Sequence, residues 1–380
     1  MTNFKRGLFL TFAAVLFSTT HAQTKLPDWM NSIKLSGYGM TQYQYSGQEG
    51  AKANSFNLRL GRIMLDGRIK NDFFWRVQLQ INGNTSTLGS SPRLVDLFTE
   101  WQKYDFLRIK IGQFKRPFTF ENPMNPIDQG FMSYSQAVEK LAGFSDRDGE
   151  HSSNGRDIGL QVQGDFLKNA AGRNLLHYQV GIFNGQGINV KDVDQQKDII
   201  GGVWVMPVPG MRLGTFGWTG SYARKGTWTT TSAQGQEIQH DGVRSLQQRR
   251  YAFSAEYLFN DWTLRSEFVH STGQAFAKAL SNTNDNTSGD CTISDEGSQA
   301  QGVYALVIAP IIQKRLHAKA RYDMYQPTGD ASRMRSQYEV GLDYEFDHNF
   351  EINGEYAMVN DRSLKKENYS IVDVEVDFRF

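Results

Sequence analysis

The sequence predicts an all-β chain, a 16-stranded antiparallel transmembrane β-barrel with an inward-folded third loop. Three observations predict it. Nearly every segment after Asn31 alternates apolar and polar residues, the connections alternate between tight turns and long polar loops, and with mean hydropathy at −0.51 no stretch beyond the N-terminus approaches the ~18 consecutive apolar residues of a spanning helix. Period-two alternation marks strands with one apolar and one polar face. An even strand number, with short turns at one end and long loops at the other, is the pattern of a membrane-spanning barrel. A soluble sandwich has no reason to segregate its loop lengths in this way.

The first element is an address. Lys5 and Arg6 precede an apolar run from Leu8 to Phe17, and Thr20-His21-Ala22 follow it. A positive flank, a short apolar core and a small-residue exit predict a signal peptide over residues 1–22, cleaved after Ala22. The run is too short for a retained membrane anchor. Residues 23–380 are then a single barrel domain, exported to the bacterial cell outer membrane. Removing residues 1–22 takes away two bases, Lys5 and Arg6, and no acids, so 41 bases and 40 acids become 39 and 40. That balance excludes the basic excess of a nucleic-acid binder. Cys291 is the only cysteine, so no intramolecular disulfide framework is expected.

Strands are expected near 32–46, 54–70, 72–83, 93–104, 105–115, 156–167, 174–184 and 197–206. Eight more are expected near 211–225, 249–259, 261–272, 301–310, 314–325, 336–346, 349–359 and 370–380. The third is representative: Phe73, Trp75, Val77, Leu79 and Ile81 alternate with Phe74, Arg76, Gln78, Gln80 and Asn82. Two strands break the pattern, because Ile199–Met206 and Val303–Ala309 run almost continuously apolar. In the second strand the apolar parity slips between Leu60 and Ile63, which predicts a bulge. Lys70-Asn71-Asp72, Tyr104-Asp105, Phe259-Asn260-Asp261 and Asp347-His348-Asn349 read as the tight turns; 116–155, 226–248 and 273–300 read as long loops. Trp75, Trp101, Tyr104, Tyr257, Trp262, Phe346 and Phe350, near strand ends, suit interfacial aromatic girdles. The alternating end of the chain, "SIVDVEVDFRF" (370–380), is expected to pair with the first strand and leave no edge exposed.

A barrel of about 16 strands is too wide to fill with side chains, so passive diffusion of small hydrophilic solutes is the expected function. The loop 116–155 carries Phe118, Phe120, Met124, Ile127, Phe131, Met132, Tyr134, Leu141 and Phe144. So apolar a segment should not hang in water, and it is expected to fold into the lumen as a constriction.

Its entry, "LRIKIGQFKRPFTFEN" (107–122), resembles the signature of the phosphate-selective porin O and P family. So do "LVDLFTEW" (94–101), "NGRDIGLQVQGD" (154–165) and "YQVGIFNGQG" (178–187), in family order. The resemblance implies an outer-membrane channel, commonly a homotrimer, that passes small anions such as phosphate past inward lysines and arginines. A terminal aromatic on an alternating strand also resembles the signal read by the barrel-assembly machinery that seats such chains in outer-membrane lipid.

Strand parity puts Arg62, Arg68, Arg76, Arg108 and Lys110 on the polar face, and Lys115 and Arg116 open the constriction loop. Arginine presents a planar donor fork to phosphate-like oxygens, and rings of such cations select anions. Lys110, Lys115 and Arg116 lie in or beside the family signature. Against them stand Asp96 and Glu100 on the fourth strand, with Glu339, Asp343, Glu345, Glu351, Glu355, Asp373, Glu375 and Asp377 on the last three. Facing basic and acidic walls set up a transverse field that weakens net selectivity.

Two other classes compete. "HSSNG" (151–155) resembles the H-x-S-N-G motif of outer-membrane phospholipases, with His151 as base and Ser153 as nucleophile. Its adjoining residues already fit the porin-like block, and more strands are present than that family has. An adhesin or receptor using its long loops is the third class. His177, His240, His270, His317 and His348 have no metal-ligand spacing. The acidic stretch 282–297 lacks the glycine position of an EF-hand, and no Walker or Rossmann pattern appears, so no metal or cofactor is expected.

Overall fold

A computed structural model describes residues 30–82, 92–143, 153–277, 289–294 and 298–380. Sixteen antiparallel strands form the barrel among these residues. The first eight are β1 (Met30–Ser46), β2 (Ala53–Ile69), β3 (Phe73–Gln80), β4 (Arg93–Tyr104), β5 (Leu107–Lys115), β6 (Arg156–Lys168), β7 (Asn174–Phe183) and β8 (Asp198–Val205). Then come β9 (Met211–Thr231), β10 (Glu237–Phe259), β11 (Trp262–Thr272) and β12 (Gln299–Ile312). The last four are β13 (Leu316–Gln326), β14 (Arg335–Asp347), β15 (Phe350–Asp361) and β16 (Asn368–Arg379). Each pairs with the next, and β16 pairs back with β1 from Tyr38↔Arg379 to Ser46↔Ile371, which closes the ring. Phe380 completes the seam by exchanging two backbone hydrogen bonds with Gly37, 3.0 and 3.1 Å.

The two faces follow the alternation. On β14, Tyr338, Val340 and Leu342 are more than half exposed, while Glu339 and Asp343 are buried. On β3, Phe73 and Leu79 are exposed and Gln78 and Gln80 are buried. Aromatics collect at the short-turn end. Trp101, Tyr104, Phe106, Phe166 and Tyr178 form a row with successive ring centroids 5.6, 5.4, 6.3 and 5.3 Å apart. A second row joins Tyr257, Phe259 and Trp262 at 4.5 and 6.1 Å.

The bulge on β2 falls just before the predicted slip. Met40 faces Leu60 and Thr41 faces Leu58, which leaves Arg59 unopposed. Arg59 and Leu60 therefore share one side: Leu60 is buried with Tyr38, Met40 and Ile127, and Arg59 reaches Glu375 at 2.7 Å.

The expected loop 226–248 is corrected. β9 and β10 run on as a projecting hairpin of 21- and 23-residue strands, in unbroken register from Tyr257↔Met211 to Glu237↔Thr231. In the next connection, Gly289–Asp290 forms a short parallel bridge to Gly226–Thr227, and Cys291 is buried against Tyr222, Leu246 and Phe276. Residues 278–288 and 295–297 of that connection lie outside the described residues.

The apolar core is not a barrel filling but a sandwich of wall and segment. Phe118, Phe120, Phe131, Tyr134, Val138 and Leu141, all between β5 and β6, pack against Phe183, Ile200, Phe216, Trp218, Tyr304 and Leu306. This explains the two strands that broke the alternation. β8 and β12 carry apolar residues on both faces because Ile200, Tyr304 and Leu306 sit under the segment while Ile199 stays exposed on the other side. A fully buried Leu or Phe stabilises by roughly 1.5–3 kcal/mol relative to exposure. With Phe118, Phe131 and Leu141 all at 3% exposure or less, apolar burial holds the segment more firmly than any one hydrogen bond.

Candidate functional site

The segment starts from the quoted signature, and each signature residue has a structural task. Gly112 has φ +133°, and a Cβ there would lie 2.2 Å from the Leu97 carbonyl oxygen, so only glycine lets β5 approach β4 this closely. The Gln113 amide donates to the Val95 carbonyl and to Asn189 Oδ1, both at 3.0 Å, while its oxygen accepts from the Asn189 backbone N–H at 2.7 Å. Phe114 enters the core. Lys115 Nζ donates to the carbonyl of Asn122 at 2.7 Å, to Tyr134 Oη at 2.9 Å and to the Met124 carbonyl. Arg116 pairs with Asp157 at 3.1 Å and lies 4.7 Å from the Trp218 ring centroid. Lys115 thus binds the segment's own turns and Arg116 the start of β6.

Beyond Pro117 the segment is stitched to the polar face of β10–β16. Glu267 accepts from the backbone N–H groups of Phe120 (2.6 Å) and Glu121 (2.9 Å), and from Tyr304 Oη (2.8 Å) and Ser254 Oγ. Arg265 donates to the Gln129 carbonyl (3.2 Å), Lys319 to Gly130 (3.1 Å), Arg321 to Ser133 (2.8 Å) and Arg250 to Leu141 (3.0 Å). Glu355 accepts from the Met132 N–H and Asp323 from the Gln136 N–H. The short helix α1 (Gln136–Leu141) follows Ser135, whose hydroxyl caps the Val138 N–H at 3.3 Å. Burial pushes the Glu121 carboxyl up from its usual range, while the Arg321 guanidinium pulls the other way.

The remaining predicted cations differ in how far they are neutralised. Arg76 makes a bidentate pair with Asp66, 2.8 Å at each prong, and Arg108 pairs with Asp165 at 2.7 Å. Arg62 is 2% exposed and donates to Tyr38 Oη (3.0 Å) and Gln80 Oε1 (3.4 Å), with no carboxylate partner among the described residues. Lys110 lies between the Phe98 and Phe114 rings, 5.0 and 5.2 Å from their centroids, opposite Glu100 in the ladder. Arg68, at the short-turn end, donates to the Asn71 carbonyl at 3.0 Å.

The acidic set lies on the polar face, and much of it is paired. Asp96 binds Arg156 (2.7 Å), Glu355 binds Lys319 (2.7 Å), Glu375 binds Arg59, and Glu339 binds Arg321. Glu345, Glu351 and Asp377 stand opposite one another across β14, β15 and β16. The sequence reading named neither Arg59, Arg156, Lys319 and Arg321 nor Glu267 as site residues. Their signal was parity: Lys319 and Arg321 alternate with Ala318, Ala320 and Tyr322 on β13.

Among the described residues one group, His317, Asp343 and Glu345, brings metal-ligand atoms within 4.8 Å of one another. Both nitrogens of His317 are already engaged, Nδ1 with Asp343 at 2.7 Å and Nε2 with Asp261 at 3.0 Å. His151 lies outside the described residues. Ser153 is buried and accepts from Arg116 Nη1 at 3.4 Å.

Fold and polar face together define a closed 16-stranded antiparallel barrel of the outer-membrane kind. Similar solved structures are OmpF of Salmonella typhi in complex with daunomycin, a loop L8 deletion mutant of OmpT of Vibrio cholerae, and the outer membrane channel DcaP of Acinetobacter baumannii. OmpF has a TM-score of 0.63 at 12% identity, over 93% of this chain and 99% of that one. The OmpT mutant has 0.60 at 10%, over 93% and 100%. DcaP has 0.59 at 11%, over 92% and 97%. At these identities the likeness is one of fold.

The family model for phosphate-selective porin O and P matches residues 36–192. All four sequence blocks quoted above fall inside that match, as do all seven predicted cations. No curated protein sequence matches the chain.

Proposed function

We propose that the chain is an outer-membrane porin through which small hydrophilic solutes diffuse passively. The observation that carries this is the stitched segment. Its bonds to the polar face of β10–β16, opposite the exposed apolar row, support a segment that folds into the ring and narrows a lumen that side chains alone do not fill. Residues 1–22 are the exported chain's cleaved signal peptide, outside the described residues. The porin assembles as a homotrimer and is seated by the barrel-assembly machinery.

Anion preference, where the family match points, falls to Arg62, Arg68 and Lys110, which have no ion-pair partner within the described structure. Arg76 and Arg108 are countered by Asp66 and Asp165, and Lys115 and Arg116 hold the segment. Because β16 pairs with β1 and β1 with β2, the acids Glu345, Glu351 and Asp377, which make no ion pair among the described residues, lie in the stretch of wall beside Arg62 and Arg68 and offset their charge, so selectivity is weak.

Single-channel recording of the purified protein in a chloride background tests this. Stepwise conductance is expected, and phosphate should reduce chloride current if the cations bind it. A preparation with native heat-modifiable mobility and no conductance would overturn the porin reading.

A further inference from the structure

We infer that a cavity at the long-loop end of the barrel is a capture site for a carboxylated sugar, a singly charged anion that also carries hydroxyl groups. The inference rests on the channel reading for the solute's destination, but the site itself is a feature of the fold. The cavity has a volume of about 380 Å³, within the roughly 300–1,000 Å³ range of small-molecule sites. It lies between α1 of the stitched segment and the tops of β13–β16, where a solute arrives before the narrowing.

Its lining separates into three chemistries. Lys140, Arg333 and Arg335 supply positive charge, Glu139 and Asp361 negative charge, and Tyr325 and Tyr369 aromatic surface. Lys140 makes no side-chain hydrogen bond or ion pair within the described structure, and neither does Glu139. Arg335 uses Nε on Tyr369 Oη at 3.4 Å and Nη2 on Gln337 Oε1 at 2.9 Å, with Asp361 3.9 Å away. Its Nη1 remains for a ligand.

A carboxylate fits between the Lys140 ammonium and the free edge of Arg335, as a charge-assisted acceptor. The Glu139 carboxylate can only accept, so it suits hydroxyl donors from the same molecule. Tyr325 and Tyr369 are 8% and 9% exposed and offer the apolar surface that a sugar's C–H face needs. Three cations against two carboxylates favour a monoanion. A phosphate dianion would bring a second negative charge up to Glu139 and Asp361.

Full-length protein in detergent, titrated calorimetrically with D-glucuronate, D-glucose, acetate and inorganic phosphate, tests the site. Glucuronate should bind at least tenfold tighter than each of the other three. K140Q and R335Q should each weaken it at least tenfold, and K140R should restore it, with heat-modifiable mobility confirming the fold of every variant. Glucuronate binding no tighter than acetate, binding undiminished in both glutamine variants, or tighter binding of phosphate would each overturn the inference. Calorimetry needs no current. A protein that binds glucuronate but does not conduct overturns the channel reading alone, and one that conducts but binds none overturns the capture site alone.

Discussion

Replacing Glu267 by glutamine should loosen the stitched segment without breaking the barrel. Each oxygen of this buried carboxylate holds two donors: Oε2 takes Phe120 N–H and Ser254 Oγ, and Oε1 takes Glu121 N–H and Tyr304 Oη. Glutamine turns one oxygen into an NH2 group that faces two donors. Two hydrogen bonds to a charged group, at roughly 1.5–3 kcal/mol each, are lost. The Ser254 hydroxyl or Tyr304 phenol can rotate to accept, which recovers one, so the net cost is about 2–4 kcal/mol. At about 1.4 kcal/mol per decade, the detached segment becomes roughly 30- to 700-fold more populated. Single-channel records should then show added open-level noise and excursions to a larger conductance, with heat-modifiable mobility unchanged. Wild-type conductance and noise in E267Q would refute the reasoning, because the segment would then be held without this carboxylate.

Lys115→Met removes the donor to the Asn122 and Met124 carbonyls and to Tyr134 Oη; it should cost about 3 kcal/mol in unfolding experiments and leave ion preference unchanged. Reversal potentials in a salt gradient should show weak selectivity. Arg68→Gln with Lys110→Gln should move it toward cations, and Glu351→Gln with Asp377→Asn toward anions. For Glu121 the sign follows from its raised carboxyl. An acid whose folded pKa exceeds its unfolded value contributes fully below the unfolded value, about 4.5, and loses that contribution as pH rises through the folded value. Acidification from pH 7 should therefore reduce open-level noise, and E121Q should flatten that pH dependence.

The strands were legible because a barrel wall with one exposed apolar face and one polar face enforces period two. The β9–β10 extension was not. Thr227–Thr231 and Glu237–Asp241 stand beyond the alternating stretch, where neither face needs to be apolar, so a paired hairpin reads as a polar loop. β8 and β12 looked irregular because their second apolar face meets Phe118, Phe120 and Val138 of the segment, a partner that no local pattern reveals. Parity placed the cations on the correct face but could not say which were spent. Arg76 opposes Asp66 in the β2–β3 register, so once strand order is assumed that pair is readable. Lys115 binds carbonyl oxygens seven and nine residues on, through a turn whose path the sequence does not specify.

The stitching also orders events in time. Arg379, on the strand that closes the ring, donates to the Ile127 carbonyl and to Asp128, across sequence separations of 252 and 251 residues. Contacts of such long separation form late, after the intervening chain has been positioned. These two bonds therefore form only once β16 is in place, whereas those from Glu267, Lys319 and Arg321 need only earlier strands. In this fold the strand that closes the ring also supplies the segment's last anchor.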